Sequence, residues 1–261
     1  MTQIIAISNH KGGVAKTTSC VSLGACLAEA GQRTLIVDFD PQANLTLSVG
    51  FEPEDLETTV VDLLEDSQSS PAKVEQAILP TVAKGLSLLP ADQRLVTVES
   101  YPGRVAEYRS CLQRTLKLQE GRFDYILIDC PPSLGALTIM ALTAANMALI
   151  PVQCDYFATR GLFNLLTMVE AVRTRTNPGL QTAVFVTMYD TRTLISRRIL
   201  DQLRERLPDT LLNTIIGMDT RLRESVVANE PVTLYASRSR ASSQYRNLAA
   251  EVIRRTSPAA Q

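Results

Sequence analysis

The chain has 261 residues, of which 45% are hydrophobic and 20% charged, and its formal net charge is −1. This length suits one large α/β domain or two small ones, and the near-zero charge excludes a global positive field as the basis of nucleic-acid binding. The five cysteines are odd in number and include no C-x-x-C pair, which excludes a disulfide framework and indicates reduced thiols. The first residues lead directly into a strand pattern, so no signal peptide is expected.

The first predicted elements are a strand, a short loop and a helix. An apolar run begins at Ile4 and ends at Ser8, and a glycine-containing loop follows. A helical pattern then begins near Lys16 and ends at Gly31. Loop N–H groups and a helix N-terminus can hold a phosphate, Lys16 adds a positive charge, and Thr17 supplies a hydroxyl suited to phosphate-bound Mg²⁺. The sequence therefore predicts a phosphate-binding loop.

This loop reads K-G-G-x-A-K-T-T and departs from the usual pattern G-x-x-x-x-G-K-[ST]. His10 and Ala15 stand at the two glycine positions of that pattern. A second lysine, Lys11, stands five residues before Lys16, which occupies the lysine position of the pattern. Because a Cβ at Ala15 could crowd the backbone around a β-phosphate, we expect this residue to influence nucleotide affinity. The predicted nucleotide-binding residues are Lys11, Gly12, Gly13, Val14, Ala15, Lys16, Thr17 and Thr18.

Two later strand patterns end in aspartates. The stretch at residues 33–42 contains an apolar run that leads into Asp38 and Asp40, and the stretch at residues 123–132 leads into Asp129. Because the C-terminal ends of parallel strands meet at one edge of a sheet, these carboxylates are expected beside the phosphate loop. Asp129 is then expected to hold Mg²⁺ through its hydration shell.

The rest of the chain alternates between strand and helix patterns, which predicts a doubly wound, mostly parallel α/β sheet in a single P-loop domain over residues 1–261. The uncharged stretch 130–154 is long enough for a membrane span, but its prolines divide it into a helix and a buried strand. The predicted elements are short helices at 44–49 and 60–64, a loop at 66–72, a strand running into a turn at 86–91, helices at 104–119, 137–145, 161–175, 194–206 and 241–255, and strands at 147–152, 182–188 and 211–216.

The loop K-G-G-x-A-K-T-T resembles the deviant Walker A motif of the ParA/MinD family of P-loop ATPases. The segments D-x-D-P-Q, L-L-P-A, P-V-Q-C and R-L-R-E-S extend the resemblance over nearly the whole chain, toward the Soj-like DNA-partitioning branch without an N-terminal helix-turn-helix extension. The resemblance implies ATP and Mg²⁺ as cofactors and a weak, partner-stimulated ATPase. It implies three catalytic residues: Lys16, Lys11 reaching the partner's ATP in an ATP-dependent homodimer, and Asp40 positioning the attacking water. Its implied metal-site residues are Thr17, Asp38 and Asp129.

The resemblance also implies non-specific binding of double-stranded DNA and a ParB-like adaptor protein, in a cytoplasmic, nucleoid-associated protein that moves a plasmid, chromosome or protein cargo. Residues 192–261 contain twelve arginines, no lysine and seven acidic residues, a net charge of +5 suited to phosphate contact. Arg192 and Arg221 match the family's DNA-contacting arginines. Residues 216–219 depart from the family's usual segment near the adenine, so the base-contacting residues are left unassigned. Further DNA-binding candidates are Arg223, Arg197, Arg198, Arg238 and Arg240.

Three alternatives stand beside this interpretation. A MinD-like membrane-cycling ATPase that positions a cellular assembly would need a C-terminal amphipathic anchor, and residues 248–255 are short of bulky apolar side chains. We therefore expect no stable membrane association. A metallocluster ATPase of the same fold would need cysteine pairs, and a non-enzymatic binding module fits poorly with three motifs that converge on one phosphate site.

Overall fold

The computed structural model describes residues 2–66, 70–100, 105–155 and 158–257. These residues form an eight-stranded sheet in the order β3-β4-β2-β5-β1-β6-β7-β8. The strands are β1 (Gln3–Ile7), β2 (Thr34–Asp38), β3 (Leu79–Pro80), β4 (Leu86–Leu89), β5 (Tyr125–Asp129), β6 (Met147–Gln153), β7 (Gln181–Tyr189) and β8 (Leu211–Gly217). Only β3 pairs antiparallel, with β4, among the described strand pairs. The predicted doubly wound, mostly parallel α/β fold is confirmed.

Helices cover both faces of this sheet, as crossover connections between parallel strands require. A short 3₁₀ helix (Pro53–Asp55) accompanies them. The α-helices within the described ranges are α1 (Lys16–Glu29), α2 (Asn44–Ser48), α3 (Val60–Glu65), α4 (Pro71–Ala77), α5 (Leu95–Ser100), α6 (Val105–Lys117), α7 (Ala136–Ala144), α8 (Ala158–Arg175), α9 (Leu194–Arg206), α10 (Arg221–Val227), α11 (Val232–Tyr235) and α12 (Arg240–Thr256).

The hydrophobic core lies in two layers, one on each face of the sheet. Along β5, Ile126 and Ile128 pack into the layer that contains α3 and α6 to α9, whereas Leu127 packs into the layer that contains α1 and α12. Successive strand residues point to opposite faces, so a strand covered on both sides reads as a continuous apolar run. In α1, Gly24 lies so close to the sheet that an added Cβ would stand 2.9 Å from Cγ2 of Ile36. The helix therefore approaches the strands closely.

The register of the central strands brings the functional motifs together. Asp38 at the end of β2 lies opposite Asp129 at the end of β5, and Asp129 also lies opposite Ile7 at the end of β1. The phosphate loop follows β1 directly, so three motifs distant in sequence meet at one edge of the sheet.

Most predicted elements are confirmed, with boundaries shifted by a few residues. The prediction of a loop at 66–72 is wrong at its end: Ser70 accepts a hydrogen bond from the N–H of Lys73 and Pro71 begins α4, a normal capped start. Residues 67–69 of that predicted loop lie outside the described residues. Helices α5, α10 and α11 were not predicted. Each has four to seven residues, a length over which a helical hydrophobic period gives only a weak signal.

The uncharged stretch divides as predicted into α7 and β6. Across the four described ranges, every helix is too short or too polar to cross a membrane. The apolar face of α12, which includes Tyr245, Leu248 and Val252, is buried against the core.

Candidate functional site

The loop between β1 and α1 is held in a cradle shape by its own residues. The side chain of Asn9 accepts a hydrogen bond from the N–H of Lys11 at 2.9 Å and donates one to the carbonyl of Pro151 at 2.6 Å. Gly13 adopts a positive φ of 74°. No side chain caps the N-terminus of α1, so its first N–H groups are available to an anion. Val14 is buried and can offer only its backbone.

Ala15, which ends the loop, has φ 60° and ψ 35°. This is the left-handed region, which costs a residue with a Cβ about 1–2 kcal/mol relative to glycine. The conformation gives a physical reason why glycine suits this position. The predicted influence of the Ala15 Cβ on nucleotide affinity stays a prediction.

Lys16, the first residue of α1, is only 7% exposed. Its Nζ lies 3.4 Å from the carbonyl oxygen of Lys11, and the described residues contain no ion-pair partner for it within 4 Å. Burial lowers the pKa of this amine, while the carboxylate of Asp129 acts in the opposite direction. A buried ammonium with one long hydrogen bond is suited to receive an anionic ligand.

Thr17 and Asp129 form a second part of the site. The Thr17 hydroxyl donates to Oδ2 of Asp129 at 2.6 Å, while Oδ1 of Asp129 is buried and has no hydrogen-bond donor among the described residues. Burial, reinforced by the charge of Asp38, raises the pKa of Asp129 well above its ordinary value. An unpaired buried carboxylate oxygen is costly and would be satisfied by a cation.

These groups fit a hydrated Mg²⁺ ion. Magnesium takes one or two carboxylates, several waters and phosphate oxygens, and seldom needs an all-protein cage. In the described part of the chain no group of three or more histidine, cysteine or acidic residues is placed to hold a metal. This agrees with a site of the magnesium–phosphate type and gives no support to the metallocluster alternative. All five cysteines are buried, and within the described part of the chain none of them forms a disulfide.

Asp38 and Asp40 differ in how their oxygens are used. Asp38 is fully buried and accepts hydrogen bonds from the N–H and hydroxyl of Thr46, at 2.8 and 2.7 Å, and from the N–H of Asp40 at 3.2 Å. Burial raises its pKa to about 6, although these hydrogen bonds oppose the shift. Asp38 thus holds α2 and the backbone of Asp40 in place. Its role near the metal stays a prediction.

Asp40 lies at the wall of a cavity of about 440 Å³ that contains the phosphate loop. One of its oxygens, Oδ1, accepts from the N–H of Gln42 at 3.0 Å. The structure brings Asp40 together with most of the predicted nucleotide-binding residues, since the cavity is also lined by Gly12, Gly13, Ala15, Lys16, Thr17 and Thr18.

Lys11 is not brought to this cavity. Its ammonium pairs with the carboxylate of Asp155 and donates to Oε1 of Gln153 at 3.1 Å. Gln153 is the last residue of β6, and Asp155 lies just beyond it. About one third of the Lys11 side chain is exposed. In this arrangement the lysine interacts with its own chain.

A second cavity of about 630 Å³ adjoins the phosphate loop and was missed by the sequence reasoning. It is lined by Gly13 and Thr18 on one side. On the other side it is lined by residues at the C-terminal ends of β7 and β8 and just beyond them, including Met188 and Met218. Because β7 and β8 are parallel members of the same sheet, the segments after them lie at the same edge as the phosphate loop. The alternation of parallel strands could have suggested a cavity at this edge. The sequence of residues 216–219 alone did not indicate which residues line it.

The predicted DNA-binding arginines are exposed, and two of them are paired. Arg192 makes a bidentate contact with Asp190, at 2.9 and 2.8 Å, and this contact lowers the pKa of Asp190 to about 2. Arg221 pairs with Glu224 at 2.7 Å. Arg223 is exposed and lines the second cavity with Arg192. Among the weaker candidates, the side chains of Arg197 and Arg240 donate to backbone carbonyls, whereas Arg198 and Arg238 are exposed.

A phosphate cradle, a lysine at its base and a carboxylate–threonine pair beside it define a P-loop nucleotide-binding protein. Comparisons agree. A family model described as an AAA domain matches residues 2–182. The sporulation initiation inhibitor protein Soj of Bacillus subtilis is 43% identical over 97% of this chain and 98% of its own. The chromosome partitioning protein ParA of Caulobacter vibrioides is 38% identical over 97% of this chain and 94% of its own.

A solved structure with a related sequence shares the fold. Cobyrinic acid a,c-diamide synthase from Mycobacterium smegmatis, with bound ADP and magnesium, is 34% identical, covers 97% of this chain and 95% of its own, and superposes with a TM-score of 0.81. Because the family model and the relatives cover so much of its length, the chain belongs to the ParA/MinD family of P-loop ATPases, as its deviant Walker A loop predicted.

Proposed function

We propose that this chain is an Mg²⁺-dependent ATPase that dimerises when it binds ATP and binds double-stranded DNA without sequence preference. In this proposal it acts in the cytoplasm on the nucleoid and, with a ParB-like partner, moves a plasmid, chromosome or protein cargo. The observation that carries the ATPase activity is the unpaired, buried oxygen of Asp129 beside Thr17 and Lys16. The partitioning role is supported by the likeness to proteins named Soj and ParA.

The residues of the first cavity divide the work of phosphate binding and hydrolysis. The N–H groups of residues 12–18 and the ammonium of Lys16 hold the phosphates, and Thr17 with Asp129 holds the metal. A magnesium ion held there by Thr17 and Asp129 would supply positive charge to offset the negative charge that develops during phosphoryl transfer. Asp40 orients the attacking water, since its carboxylate lies in the wall of the same cavity. In this proposal Asp38 lies near the metal, and its carboxylate keeps Asp40 in position by accepting a hydrogen bond from the N–H of Asp40.

The second cavity is the proposed site of the base and ribose. It adjoins the phosphate loop through Gly13 and Thr18 and offers the apolar side chains of Met188, Leu222 and Val226 to the faces of a base. Asp219 also lines it, but its two oxygens accept from the N–H groups of Arg221 and Ala241. The base that we propose for this cavity is adenine, because the chain belongs to the ParA/MinD family of ATPases.

Dimerisation requires Lys11 to leave its own chain and reach the partner's nucleotide. The bonds that hold it, to Asp155 and Gln153, are partly exposed. Breaking an exposed ion pair of this kind costs only about 0–1 kcal/mol. A phosphate group of the partner's nucleotide, carrying more negative charge than one carboxylate, can therefore displace Asp155. In this proposal the present position of Lys11 belongs to the monomer.

DNA binding is assigned to the arginine-rich surface formed by Arg192, Arg221 and Arg223. The fork of Arg192 already makes a bidentate contact with a carboxylate, which is the geometry that guanidinium groups use for phosphate. A dimer doubles the number of phosphate contacts, so weak binding by one protomer becomes useful binding by two.

A salt titration tests this function. ATP-loaded wild type, Arg192→Ala and Arg221→Ala are measured on two unrelated DNA duplexes. We expect equal affinities for the two sequences and a linear fall of log K with log salt. Each arginine that meets one phosphate should flatten the slope by about 0.9, or about 1.8 in a twofold dimer. Unchanged slopes in both variants would remove these arginines from the DNA surface.

Lys16→Ala is the control for nucleotide dependence. It removes the main cation of the phosphate site, so it should bind no ATP and show no ATP-dependent DNA binding. Normal binding of labelled ATP by this variant would contradict the assignment of the phosphate loop. If wild type instead pelleted with lipid vesicles in the presence of ATP and ignored DNA, the membrane-cycling alternative would replace the DNA-binding proposal.

A further inference from the structure

Helix α10, which carries Arg221 and Arg223, is attached to the rest of the protein at both of its ends. At its beginning, Oδ1 of Asp219 accepts from the N–H of Arg221 at 3.1 Å and Oδ2 accepts from the N–H of Ala241 in α12 at 3.2 Å. At its end stands Asn229, which adopts a left-handed conformation with φ 55°. Asparagine is one of the few residues besides glycine that tolerates this conformation.

The side chain of Asn229 connects this end of α10 to α2. The Asn229 amide is assigned with its nitrogen toward the two neighbouring carbonyls, the orientation that satisfies both its oxygen and its nitrogen. In this orientation it donates to the carbonyl of Val226 at 3.3 Å and to the carbonyl of Leu47 at 3.0 Å. The chain after α2 also packs here, since a Cβ added at Gly50 would lie 3.5 Å from Cβ of Asn229. One side chain thus bridges the last carbonyls of two helices.

The α2 end of this bridge belongs to the proposed hydrolysis site. Helix α2 begins four residues after Asp40, and the N–H and hydroxyl of its Thr46 are bound to Asp38. Residues of both helices, Leu47 of α2 and Val226 of α10, line the cavity that contains Asp40 and Lys16. A displacement of α2 is therefore transmitted through Asn229 to the end of the helix that bears the arginines.

Building on the proposed function, we propose that Asn229 is a positioning residue that couples the γ-phosphate side of the nucleotide site to the arginines of α10. A γ-phosphate shifts the segment from Asp40 to α2, and Asn229 carries that shift to α10. Because α10 is tied to α12 at Asp219, the shift reorients the helix about that point. The amide is solvent-exposed, so its hydrogen bonds are at the weaker end of the usual range.

The test compares wild type with Asn229→Gly and Asn229→Asp. Glycine keeps the left-handed backbone and removes the amide, whereas aspartate keeps the size but cannot donate to either carbonyl. The matched control is Asn177→Gly, because the amide of Asn177 donates to the carbonyls of Leu142 and Ala145 in the same way, at the end of another helix. It removes an equivalent pair of bonds away from the nucleotide cavities.

The readout is amide hydrogen exchange in α10, compared between the ATPγS and ADP states. Both nucleotides carry the same base, so the difference reports the γ-phosphate and the dimerisation that the proposed function attributes to it, which the Asn177→Gly control shares. Wild type and Asn177→Gly should show a difference, and both Asn229 variants should reduce the ratio of exchange rates by about 2- to 5-fold. An undiminished ratio in the Asn229 variants, or no difference in wild type, would overturn the proposal.

A parallel measurement separates this inference from DNA binding itself. The factor by which ATPγS rather than ADP tightens DNA binding should fall over the same 2- to 5-fold range, about that expected for one exposed hydrogen bond, in the Asn229 variants only. A wild type whose α10 responds to the γ-phosphate but which binds no DNA would support the bridge and reject the DNA-binding function.

Discussion

Glu224→Gln should make the protein bind DNA more tightly. In the structure Arg221 pairs with Glu224 at 2.7 Å, and both side chains are about half exposed, at 54% and 41%. A DNA phosphate must displace this carboxylate before it can bind the guanidinium. Exposed ion pairs are weak, so their loss corresponds to a factor of about 1.4–5 per protomer. In a twofold dimer both protomers contribute, and the expected gain in affinity is roughly 2- to 30-fold.

The measurement is fluorescence anisotropy of a labelled duplex with ATPγS-loaded protein at constant salt. Glu170→Gln is the matched control, because Glu170 pairs with Arg173 three residues away on α8 and its loss changes the net charge equally. Helix α8 carries none of the proposed DNA-binding arginines. If Glu224→Gln bound no more tightly than Glu170→Gln, the pairing with Arg221 would not govern DNA affinity, and the reasoning would be refuted.

Four further predictions concern the nucleotide site. Ala15→Gly removes the Cβ from a residue in the left-handed conformation, so it should raise the free energy of unfolding by about 1 kcal/mol and the Tm by about 2 °C in thermal melts. A lower Tm would contradict the claim that Ala15 is strained. Lys11→Ala should bind nucleotide yet fail to form the ATP-dependent dimer by light scattering, and normal dimerisation would make Lys11 an ordinary loop lysine. Asp40→Ala should dimerise but release phosphate slowly, because it loses the group that orients water; unchanged turnover would end that role. Since the pKa of Asp38 is raised to about 6 by burial, the folded state takes up a proton before the unfolded state as the pH falls. Urea melts of the nucleotide-free protein should therefore show more stability at pH 5 than at pH 7, with about 1 kcal/mol from Asp38 and a change of the same sign from Asp129, whose pKa burial also raises. A decrease would contradict the pKa shifts.

Much of the fold was predictable because its signals are local. The strands are buried on both faces and read as continuous apolar runs, and helices such as α9 show a clear amphipathic period. The error at Pro71 and the omission of α10 have the opposite cause. These helices are seven residues long, and caps and packing against neighbours, rather than periodicity, decide that they form.

The P-loop class of the protein could be read from its residues alone, because a strand, a K-G-G-x-A-K-T-T loop and a helix follow one another without interruption. It also placed Asp38 and Asp129 at one edge, since parallel strands must end there. The tertiary structure determines which of the two carboxylates keeps an oxygen that accepts no hydrogen bond from the described residues. Oδ2 of Asp38 accepts from the N–H and the hydroxyl of Thr46, and its Oδ1 accepts from the N–H of Asp40. One oxygen of Asp129 has no donor among the described residues, although both aspartates end strands in the same way. Hydrogen-bond partners are selected by proximity in three dimensions, and a bond such as that from Thr17 to Asp129 joins residues 112 positions apart that no local pattern relates.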